Sequence, residues 1–235
     1  MTSPKVNINI DYNQLLGKSW AGVLEPLLTS PYMSDLMSFL HESYKIQNVR
    51  PNKREVFDAF KFTPFTDVRV VIIGKEPYQN FKSMGLAFGN LDKIGKEFSP
   101  ELLKIFDVIE KTIYNGLRIY SDPSLSYWAY QDIMMLNSAL TVEVGEDGSH
   151  LKYWRNFIRE FVKITNEWKT GLIYCLWGEE AQYFKQYINT DKNYVLECEH
   201  PSTAVAENRD WDCNHFVEIN EILNKLNGDS EEIDW

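Results

Sequence analysis

The chain has 235 residues, 44% of them hydrophobic and 14% aromatic, which is enough to bury a sizeable core. Its formal net charge of −10 argues against broad nonspecific binding to nucleic acid, because such binding depends on neutralising phosphates. The charge leaves room for a local basic site and adds weight to a role as a DNA mimic or protein-binding module. No run approaches the roughly 20 apolar residues of a membrane span, and the first residues lack the layout of a signal peptide. We therefore expect an intracellular protein, cytoplasmic or nuclear.

The cysteines and histidines follow no spacing that is typical of a metal site. The three cysteines, Cys175, Cys198 and Cys213, are an odd and sparse set without a CxxC motif. They indicate reduced thiols rather than a disulfide framework. The four histidines, at positions 41, 150, 200 and 215, are equally scattered. We expect no metal site among these residues.

The first third of the chain is expected to be helical and irregular. Ser30 and Pro31 are a cap and a favourable first-turn residue, so they predict the start of a helix. The apolar residues at helical spacing after this cap are Met33, Leu36, Met37 and Leu40. The most strand-like run of the chain follows at residues 68–73, VRVVII, and it leads directly into GKEPYQ at residues 74–79.

Short apolar runs then alternate with longer amphipathic stretches. Strands are predicted at residues 133–136, 172–177 and 194–198, and a helix carrying Ala181, Phe184 and Ile188 is predicted between the last two. Three further amphipathic helices are predicted. The first is capped by Ser99, and its inward residues are Leu102, Leu103, Phe106, Ile109 and Ile113. The inward residues of the second are Trp154, Phe157, Ile158, Phe161 and Trp168, and those of the third are Phe216, Ile219, Ile222, Leu223 and Leu226. The acidic tail is expected to fray unless Trp235 docks.

This alternation predicts an α/β fold, a single domain over residues 1–235 with a central four-stranded parallel sheet flanked by helices on both faces. Right-handed crossovers place the carboxyl ends of all four strands on one edge of the sheet. Glu76, Asn137 and His200 each follow or end a different strand. Each has an ordinary explanation as a turn or loop residue, but together they should meet in one crevice, where open α/β folds place their chemistry.

The ordered motifs of the chain resemble those of family 1 uracil-DNA glycosylases over nearly its whole length. The family pattern GQDPYH corresponds to GKEPYQ at 74–79, and GLAF occurs at 85–88. The pattern LLLN with a following T-V pair corresponds to MMLNSALTV at 134–142, and LWG occurs at 176–178. HPSPLS corresponds to HPSTAV at 200–205, and CxHF to CNHF at 213–216. The resemblance implies the glycosylase fold and the removal of uracil from DNA without a metal or a cofactor.

The resemblance also implies roles for the residues of the predicted crevice. Enzymes of this family flip the uridine out of the DNA and break its bond to the sugar. Glu76 matches the carboxylate that stabilises charge on the sugar and orients water, and His200 matches the donor to uracil O2. The residues that match the substrate pocket are Lys75, at the position of a glutamine, Tyr78, which excludes a methyl group at C5, Phe88, which stacks on the base, and Asn137, which recognises the uracil edge.

The motifs depart from the family mainly in these functional loops. Glu76 replaces an aspartate, and an extra methylene can move the carboxylate by about 1 Å, a shift that can lower the rate roughly a hundredfold. The positions that match DNA contacts are Pro100, Ser202, Ala204 and Arg209. Glu101 stands where a serine touches phosphate, and Ala204 replaces the leucine that fills the hole left by the flipped base, for which Trp211 is a candidate substitute.

Two functions therefore remain open. The first is a divergent glycosylase of weakened or altered activity, better suited to single strands because they need no wedge, and the retained pocket favours it. The second is a homologue that serves as an accessory or protein-binding module, which Glu101, Ala204 and the net charge favour. We favour the enzyme. We expect a monomer that acts on uracil-containing DNA and does not associate with a membrane.

Overall fold

A computed structural model of the protein describes residues 10–80, 83–90, 98–117, 122–228 and 231–235. The α-helices are α1 (Tyr12–Leu16), α2 (Lys18–Val23), α3 (Glu25–Leu28), α4 (Pro31–Ile46), α5 (Asp58–Phe62), α6 (Pro100–Thr112), α7 (Ser126–Ala129), α8 (Leu151–Trp168), α9 (Glu179–Gln182), α10 (Pro201–Ala206) and α11 (His215–Asn227). The strands are β1 (Val49–Arg50), β2 (Val70–Gly74), β3 (Ile133–Asn137), β4 (Val142–Glu143), β5 (Ile173–Trp177) and β6 (Tyr194–Cys198). No helix of the described residues is both long and apolar enough to cross a membrane.

The centre of the fold is a four-stranded parallel sheet with the strand order β3-β2-β5-β6. Every residue of β2, β3 and β5 is buried, as continuous apolar runs in a parallel sheet require, whereas β6 lies at the edge and is half-buried. A second, two-stranded sheet pairs β1 with β4 in antiparallel fashion.

Helices cover both faces of the central sheet, which confirms the predicted fold class. Tyr174 of β5 hydrogen-bonds through its hydroxyl to Thr165 of α8 at 2.8 Å. Trp177, three residues further along the same strand, contacts the ring of Phe216 on α11 at a centroid distance of 6.0 Å. Because successive side chains of a strand point to opposite faces, these two contacts place α8 and α11 on opposite sides of the sheet. The predicted extent of the domain, residues 1–235, includes residues outside the described ranges and stays a prediction.

The predicted elements are largely confirmed, with shifts at their ends. β2 begins two residues later than predicted, because the N–H of Val68 is still bonded to Pro64 in the turn after α5. The helix predicted between β5 and β6 is a single turn, α9, that continues as a 3₁₀-helix over Tyr183–Tyr187.

Three residues that were predicted to face inward lie on the surface instead. Leu103, Trp168 and Leu226 are 41%, 66% and 42% exposed. Leu103 follows buried Leu102 and is therefore turned about 100° away from the core. Trp168 and Leu226 lie at the last and next-to-last positions of their helices, beyond the part of each helix that packs on the sheet.

The last residue of the chain docks through its side chain, so Trp235 meets the condition under which the tail was not expected to fray. The indole is 5% exposed, and its ring centroid lies 5.0 Å from that of Trp128 and 4.8 Å from that of Phe216. The hydroxyl of Tyr114 also donates to the Trp235 carbonyl oxygen at 2.9 Å. The tail thus closes one side of the core beside α11.

Candidate active site

The predicted crevice forms at the carboxyl edge of the sheet. Asn137 ends β3 directly beside Gly74 of β2, its partner in register. The ring of Phe88 lies over this edge, 5.0 Å from the Trp177 ring at the end of β5 and 5.5 Å from the His200 ring after β6. Residues that lie far apart in the sequence are thus brought together because four parallel strands end on the same side.

Close packing explains the glycine at the end of β2. A Cβ atom on Gly74 would lie 2.7 Å from Cζ of Phe88 and 2.8 Å from Oδ1 of Asn137, too close for either. Phe88 itself has φ of 63°, in the left-handed region that side chains rarely adopt. Such a conformation costs about 1–3 kcal/mol and persists where the surroundings enforce it, as they often do at functional sites.

Tyr78 lies beside Phe88 and is held by two hydrogen bonds. Its hydroxyl accepts from the Ser99 hydroxyl at 2.6 Å and donates to the carbonyl oxygen of Phe88 at 3.4 Å. Burial raises the pKa of Tyr78 above its usual value, so the side chain stays neutral. Ser99, which the sequence identified only as the cap of α6, therefore also positions a pocket residue.

Glu76 is buried, with 7% of its side chain exposed, and it faces a loop that follows β4. The backbone N–H of Gly148 donates to both of its carboxyl oxygens, at 3.2 and 3.0 Å. Burial, and then a hydrogen bond with Asp147, raise the pKa of Glu76 to about 8. The same hydrogen bond lowers the pKa of Asp147. The two carboxyl groups therefore share one proton at neutral pH, with that proton on Glu76.

Lys75 lies against this pair but is engaged by Asp147. Its Nζ is 2.5 Å from Oδ2 of Asp147 and 3.9 Å from Oε1 of Glu76. Burial disfavours the ammonium group, but these two carboxyl groups outweigh burial and raise the pKa of Lys75. Neither Asp147 nor Gly148 was predicted from the sequence to belong to the site. A carboxylate in a glycine turn after the second predicted strand, at the same sheet edge, was the signal that could have identified them.

The loop that carries Asp147 is anchored at both ends. The His150 ring is buried, and its Nδ1 lies 2.8 Å from the hydroxyl of Thr141, which also accepts the Trp154 indole N–H at 2.7 Å. Burial lowers the pKa of His150 to about 4, so the ring is neutral. At the other end of the loop, Oε1 of Gln79 accepts the N–H of Gly145 at 2.8 Å. The loop is thereby fixed against the strand end that carries Glu76.

His200 is a neutral imidazole whose orientation is set by the start of α10. Its Nδ1 accepts the backbone N–H of Ser202 at 3.2 Å and lies 2.7 Å from the Ser202 hydroxyl. Burial, and then the charge of Lys75, lower the pKa of His200 to about 4. Because Nδ1 accepts from an N–H, the proton of the neutral ring resides on Nε2. Gly178 permits this position, since a Cβ there would lie 2.8 Å from Cβ of His200.

Asn137 differs from the other buried polar residues of the site. It is 5% exposed, and within the described residues its side chain has no hydrogen-bond partner. Buried carboxamides are normally bonded, so an unpaired one at a crevice is suited to a ligand that offers both a donor and an acceptor.

The positions predicted to contact DNA do not form a basic surface. Pro100 is exposed at the first position of α6, and the Ser202 hydroxyl is engaged with His200. The Arg209 guanidinium donates to both carboxyl oxygens of Glu199, at 2.6 Å each, and to Glu207 at 2.6 Å. Two carboxylates thus surround the one cation of this set.

Two of the predicted DNA-contacting positions require correction. Ala204 is completely buried, because it lies on the face of α10 that packs inward, so its methyl group is not presented to DNA. Trp211, the candidate substitute wedge, is 3% exposed. Its indole N–H donates to the Glu199 carbonyl at 3.1 Å, and its ring contacts Trp177 at 4.8 Å, which makes it a core residue.

The fold and the site define an α/β protein with a polar crevice at the carboxyl edge of its parallel sheet. The chain belongs to the uracil DNA glycosylase superfamily, whose family model matches residues 60–224. It is 35% identical to the uracil-DNA glycosylase of Fusobacterium nucleatum over 222 residues, which cover 94% of this chain and 96% of that protein. It is 34% identical to the Bacillus subtilis uracil-DNA glycosylase over 224 residues, 94% of this chain and 97% of that protein.

Solved structures show the same fold. The crystal structure of mimivirus uracil-DNA glycosylase superposes with a TM-score of 0.83 at 24% sequence identity, covering 95% of this chain and 87% of that chain. A Y322F variant of the mimivirus protein, solved in complex with UGI, superposes with a TM-score of 0.82 and covers 89% of that chain. The fold implied by the sequence motifs is thereby confirmed.

Proposed function

We propose that the chain is a monofunctional uracil-DNA glycosylase, which hydrolyses the bond between uracil and deoxyribose in DNA as a step of DNA repair. The observation that carries the proposal is the convergence of Glu76, Asn137 and a neutral His200 in one crevice. The curated relatives at about 35% identity, all named uracil-DNA glycosylase, support the same activity.

Base recognition would use the three residues at the closed end of the crevice. A flipped uracil would stack on Phe88 and place its N3–H and O4 against the unpaired carboxamide of Asn137, which offers one acceptor and one donor. Tyr78, fixed by Ser99, would occupy the space beside C5 and exclude the methyl group of thymine.

During bond cleavage, Glu76 would stabilise the positive charge on the sugar and His200 the negative charge on the uracil. As the bond from C1′ to N1 of uracil breaks, its electron pair leaves with the base and positive charge develops on the sugar. The Glu76 carboxylate would stabilise that charge and accept a proton from the water that attacks C1′. The Nε2–H of His200 would donate to O2 of the uracil anion, and a preorganised donor of this kind contributes roughly 10²–10³ in rate.

The protonation of Glu76 would limit this reaction at neutral pH. With a pKa of about 8, only about one Glu76 side chain in ten is ionised at pH 7. His200, with a pKa of about 4, stays neutral throughout this range. We therefore propose that the activity is weak at neutral pH and rises toward alkaline pH.

We further propose a preference for single-stranded DNA. Entry into a duplex requires unstacking of the base and a side chain that fills the resulting gap, and Ala204 is buried rather than presented for this purpose. Arg209 is neutralised by Glu199 and Glu207, so it contributes little attraction for phosphate.

The test is release of uracil from a single-stranded and a duplex oligonucleotide of the same sequence, each with one uracil, between pH 6 and pH 10. The wild-type protein should release uracil faster from the single strand and faster at pH 9 than at pH 7. The Asn137→Ala variant, purified in parallel, controls for contaminating glycosylase. Absence of release from both substrates at every pH would overturn the enzymatic function, and faster release from the duplex would overturn the strand preference.

The alternative is an accessory module that binds a protein partner. The neutralised Arg209 and the net charge of −10 are the observations in its favour. It predicts a stable complex with a partner, no salt-sensitive binding to DNA and no release of uracil. The three measurements together separate it from the enzyme.

A further inference from the structure

Two cysteines and a histidine meet on the face of the sheet covered by α11. Cys198, at the end of β6, is paired in register with Trp177 of β5, and His215 begins α11 two residues after Cys213. The two Sγ atoms and a ring nitrogen of His215 lie within 4.8 Å of one another. The cluster lies apart from the crevice residues, but Cys198 is only two residues before His200.

The hydrogen bonds of this cluster make its two thiols unequal. The Trp177 indole N–H donates to Nδ1 of His215 at 2.9 Å, so this nitrogen is the acceptor and the ring donates from Nε2. Burial acts to raise the pKa of Cys213, but hydrogen bonds with Cys198 and with His215 outweigh it and lower this pKa to about 6. The pKa of Cys198 is raised, chiefly by the same hydrogen bond with Cys213. Of the two thiols, Cys213 is thus the one whose pKa is lowered and which more readily becomes a thiolate, and Cys198 is the one whose pKa is raised.

This arrangement is poorly suited to a metal ion. A histidine ligand needs a free lone pair, yet Nδ1 of His215 is occupied by Trp177 and Nε2 carries the proton. A closed zinc site also needs four ligands, and the cluster supplies three among the described residues. A thiolate beside a second thiol is instead the arrangement in which a disulfide forms.

A cavity at the surface of the protein adjoins Cys213. Cys213 lines a surface cavity of about 350 Å³ between α6 and residues 210–214, together with Lys104, Lys111 and Trp211. Cys175, the third cysteine, is completely buried and its pKa is raised well above the usual value, so it provides an internal control.

We propose that Cys213 and Cys198 are a redox-sensitive pair that forms a reversible intramolecular disulfide when a hydroperoxide enters this cavity. The Cys213 thiolate attacks the O–O bond, becomes a sulfenic acid and is oxidised by two electrons, while the hydroperoxide is reduced to an alcohol or to water. The Cys198 thiol then attacks the Cys213 sulfur, the S–O bond breaks, and the hydroxyl group leaves with the proton of Cys198 as water. A thiol reductant reverses the change.

The disulfide would alter the position of His200. It closes a loop over residues 199–212, which contains His200, Ser202 and Arg209. The sulfurs must approach to about 2.05 Å, so the end of β6 and the segment before α11 are drawn together. Because a misplacement of about 1 Å can lower a rate roughly a hundredfold, oxidation should reduce uracil release. This consequence rests on the proposed function, whereas formation of the disulfide does not.

The first experiment treats the whole protein with hydrogen peroxide and maps its peptides without reduction. A Cys198–Cys213 link that dithiothreitol removes is expected in the wild type and in Cys175→Ser. Cys198→Ser should stop at a sulfenic acid on Cys213, which dimedone captures. A link to Cys175, oxidation of Cys213 to a sulfonic acid only, or no oxidation would each overturn the proposal, whether or not the protein releases uracil.

The second experiment measures whether His215 lowers the pKa of Cys213 and whether the disulfide lowers the rate of uracil release. Alkylation of Cys213 by iodoacetamide should have its midpoint near pH 6 and shift toward pH 8 in His215→Asn; an unchanged midpoint would overturn the role of His215.

Uracil release should fall at least tenfold on oxidation of the wild type, recover with dithiothreitol, and be insensitive to peroxide in Cys213→Ser. A mapped disulfide with unchanged release would overturn the coupling to His200.

Discussion

Glu76 and Asp147 form a hydrogen-bonded carboxyl pair at the carboxyl edge of the sheet, and the ammonium group of Lys75 is bonded to the Asp147 member of that pair. The consequence is electrostatic. The cation that could have kept Glu76 ionised is paired with its neighbour, and the proton of the pair remains on Glu76 up to a pH of about 8. The Gly148 N–H bonds, which lower the pKa of Glu76, are too weak to reverse this effect.

The pH dependence of uracil release should therefore follow the ionisation of Glu76. The pKa of this carboxyl group is raised, so its active carboxylate form is present above pH 8 and is lost as pH falls below it. We expect release to increase about tenfold per pH unit below pH 8 and then to level off. Steady-state rates between pH 6 and pH 10 measure this, and a flat profile would contradict it.

Asp147→Asn should move that profile to lower pH. The variant removes a negative charge beside Glu76 and frees Lys75 to pair with it, and both changes favour the Glu76 carboxylate. We expect a midpoint lower by about one unit or more and a gain of up to about tenfold at pH 7. Glu146→Gln, which neutralises the exposed neighbour on the same loop, is the matched control and should leave the midpoint in place.

Glu76→Asp should also raise activity near pH 7. The shorter side chain withdraws the carboxyl group from Asp147, whose hydrogen bond and charge raise its pKa, and this outweighs the loss of the Gly148 N–H bonds, which lower it. The change also alters the distance of the carboxyl group from the sugar. We expect kcat/KM at pH 7 to increase roughly fivefold, the effect on the ionised fraction of lowering the pKa from about 8 by one unit. A lower rate at every pH would contradict this prediction and would show that the site requires the longer glutamate side chain.

Asn137→Ala and His150→Ala should separate binding of the base from stability. Asn137 has no hydrogen-bond partner within the described residues, so its truncation should change the free energy of unfolding by less than about 1 kcal/mol and lower kcat/KM roughly a hundredfold. His150 is buried and lies within hydrogen-bond distance of Thr141, so its truncation should lower the free energy of unfolding by about 1–3 kcal/mol. Urea denaturation and uracil release on the same preparations measure both quantities.

Glu199→Gln should strengthen binding to single-stranded DNA by releasing Arg209 from its bidentate ion pair. One additional cation near phosphate should steepen the dependence of log K on log salt by about 0.7 for a single strand. Fluorescence anisotropy at several salt concentrations measures the slope. Arg209→Gln in the wild-type background should change it little, and a large effect of that variant would show that Arg209 already contacts the phosphates.

Ala204→Leu should destabilise the protein rather than improve its action on duplex DNA. The sequence alone suggested that a leucine here would restore a wedge, but Ala204 is completely buried against the core. Three added carbon atoms should lower the free energy of unfolding by about 1–3 kcal/mol through overpacking. Val205→Leu, at the half-buried next position, should cost less. Faster release from duplex DNA in Ala204→Leu, at unchanged stability, would contradict the conclusion that residue 204 is buried in the core and not presented to DNA.

Local patterns in the sequence predicted the central strands, three residues of the crevice and the family. Continuous apolar runs predicted β2, β3 and β5, because a strand buried on both faces must be apolar throughout, and a shorter apolar run at 194–196 predicted the edge strand β6. Glu76, Asn137 and His200 could be assigned to one crevice because parallel strands joined by right-handed crossovers end on the same edge. The order of the motifs was sufficient to indicate the family.

The sequence by itself thus determined the α/β fold and the set of residues at the sheet edge. Only the tertiary structure decided that Asp147 pairs with Glu76, that Arg209 is neutralised by Glu199, and that Ala204 is buried. The physical reason is that pKa values, ion pairs and burial depend on the distance between groups that meet only after folding. A helical or strand period indicates which face a residue occupies, but not which charge lies opposite it.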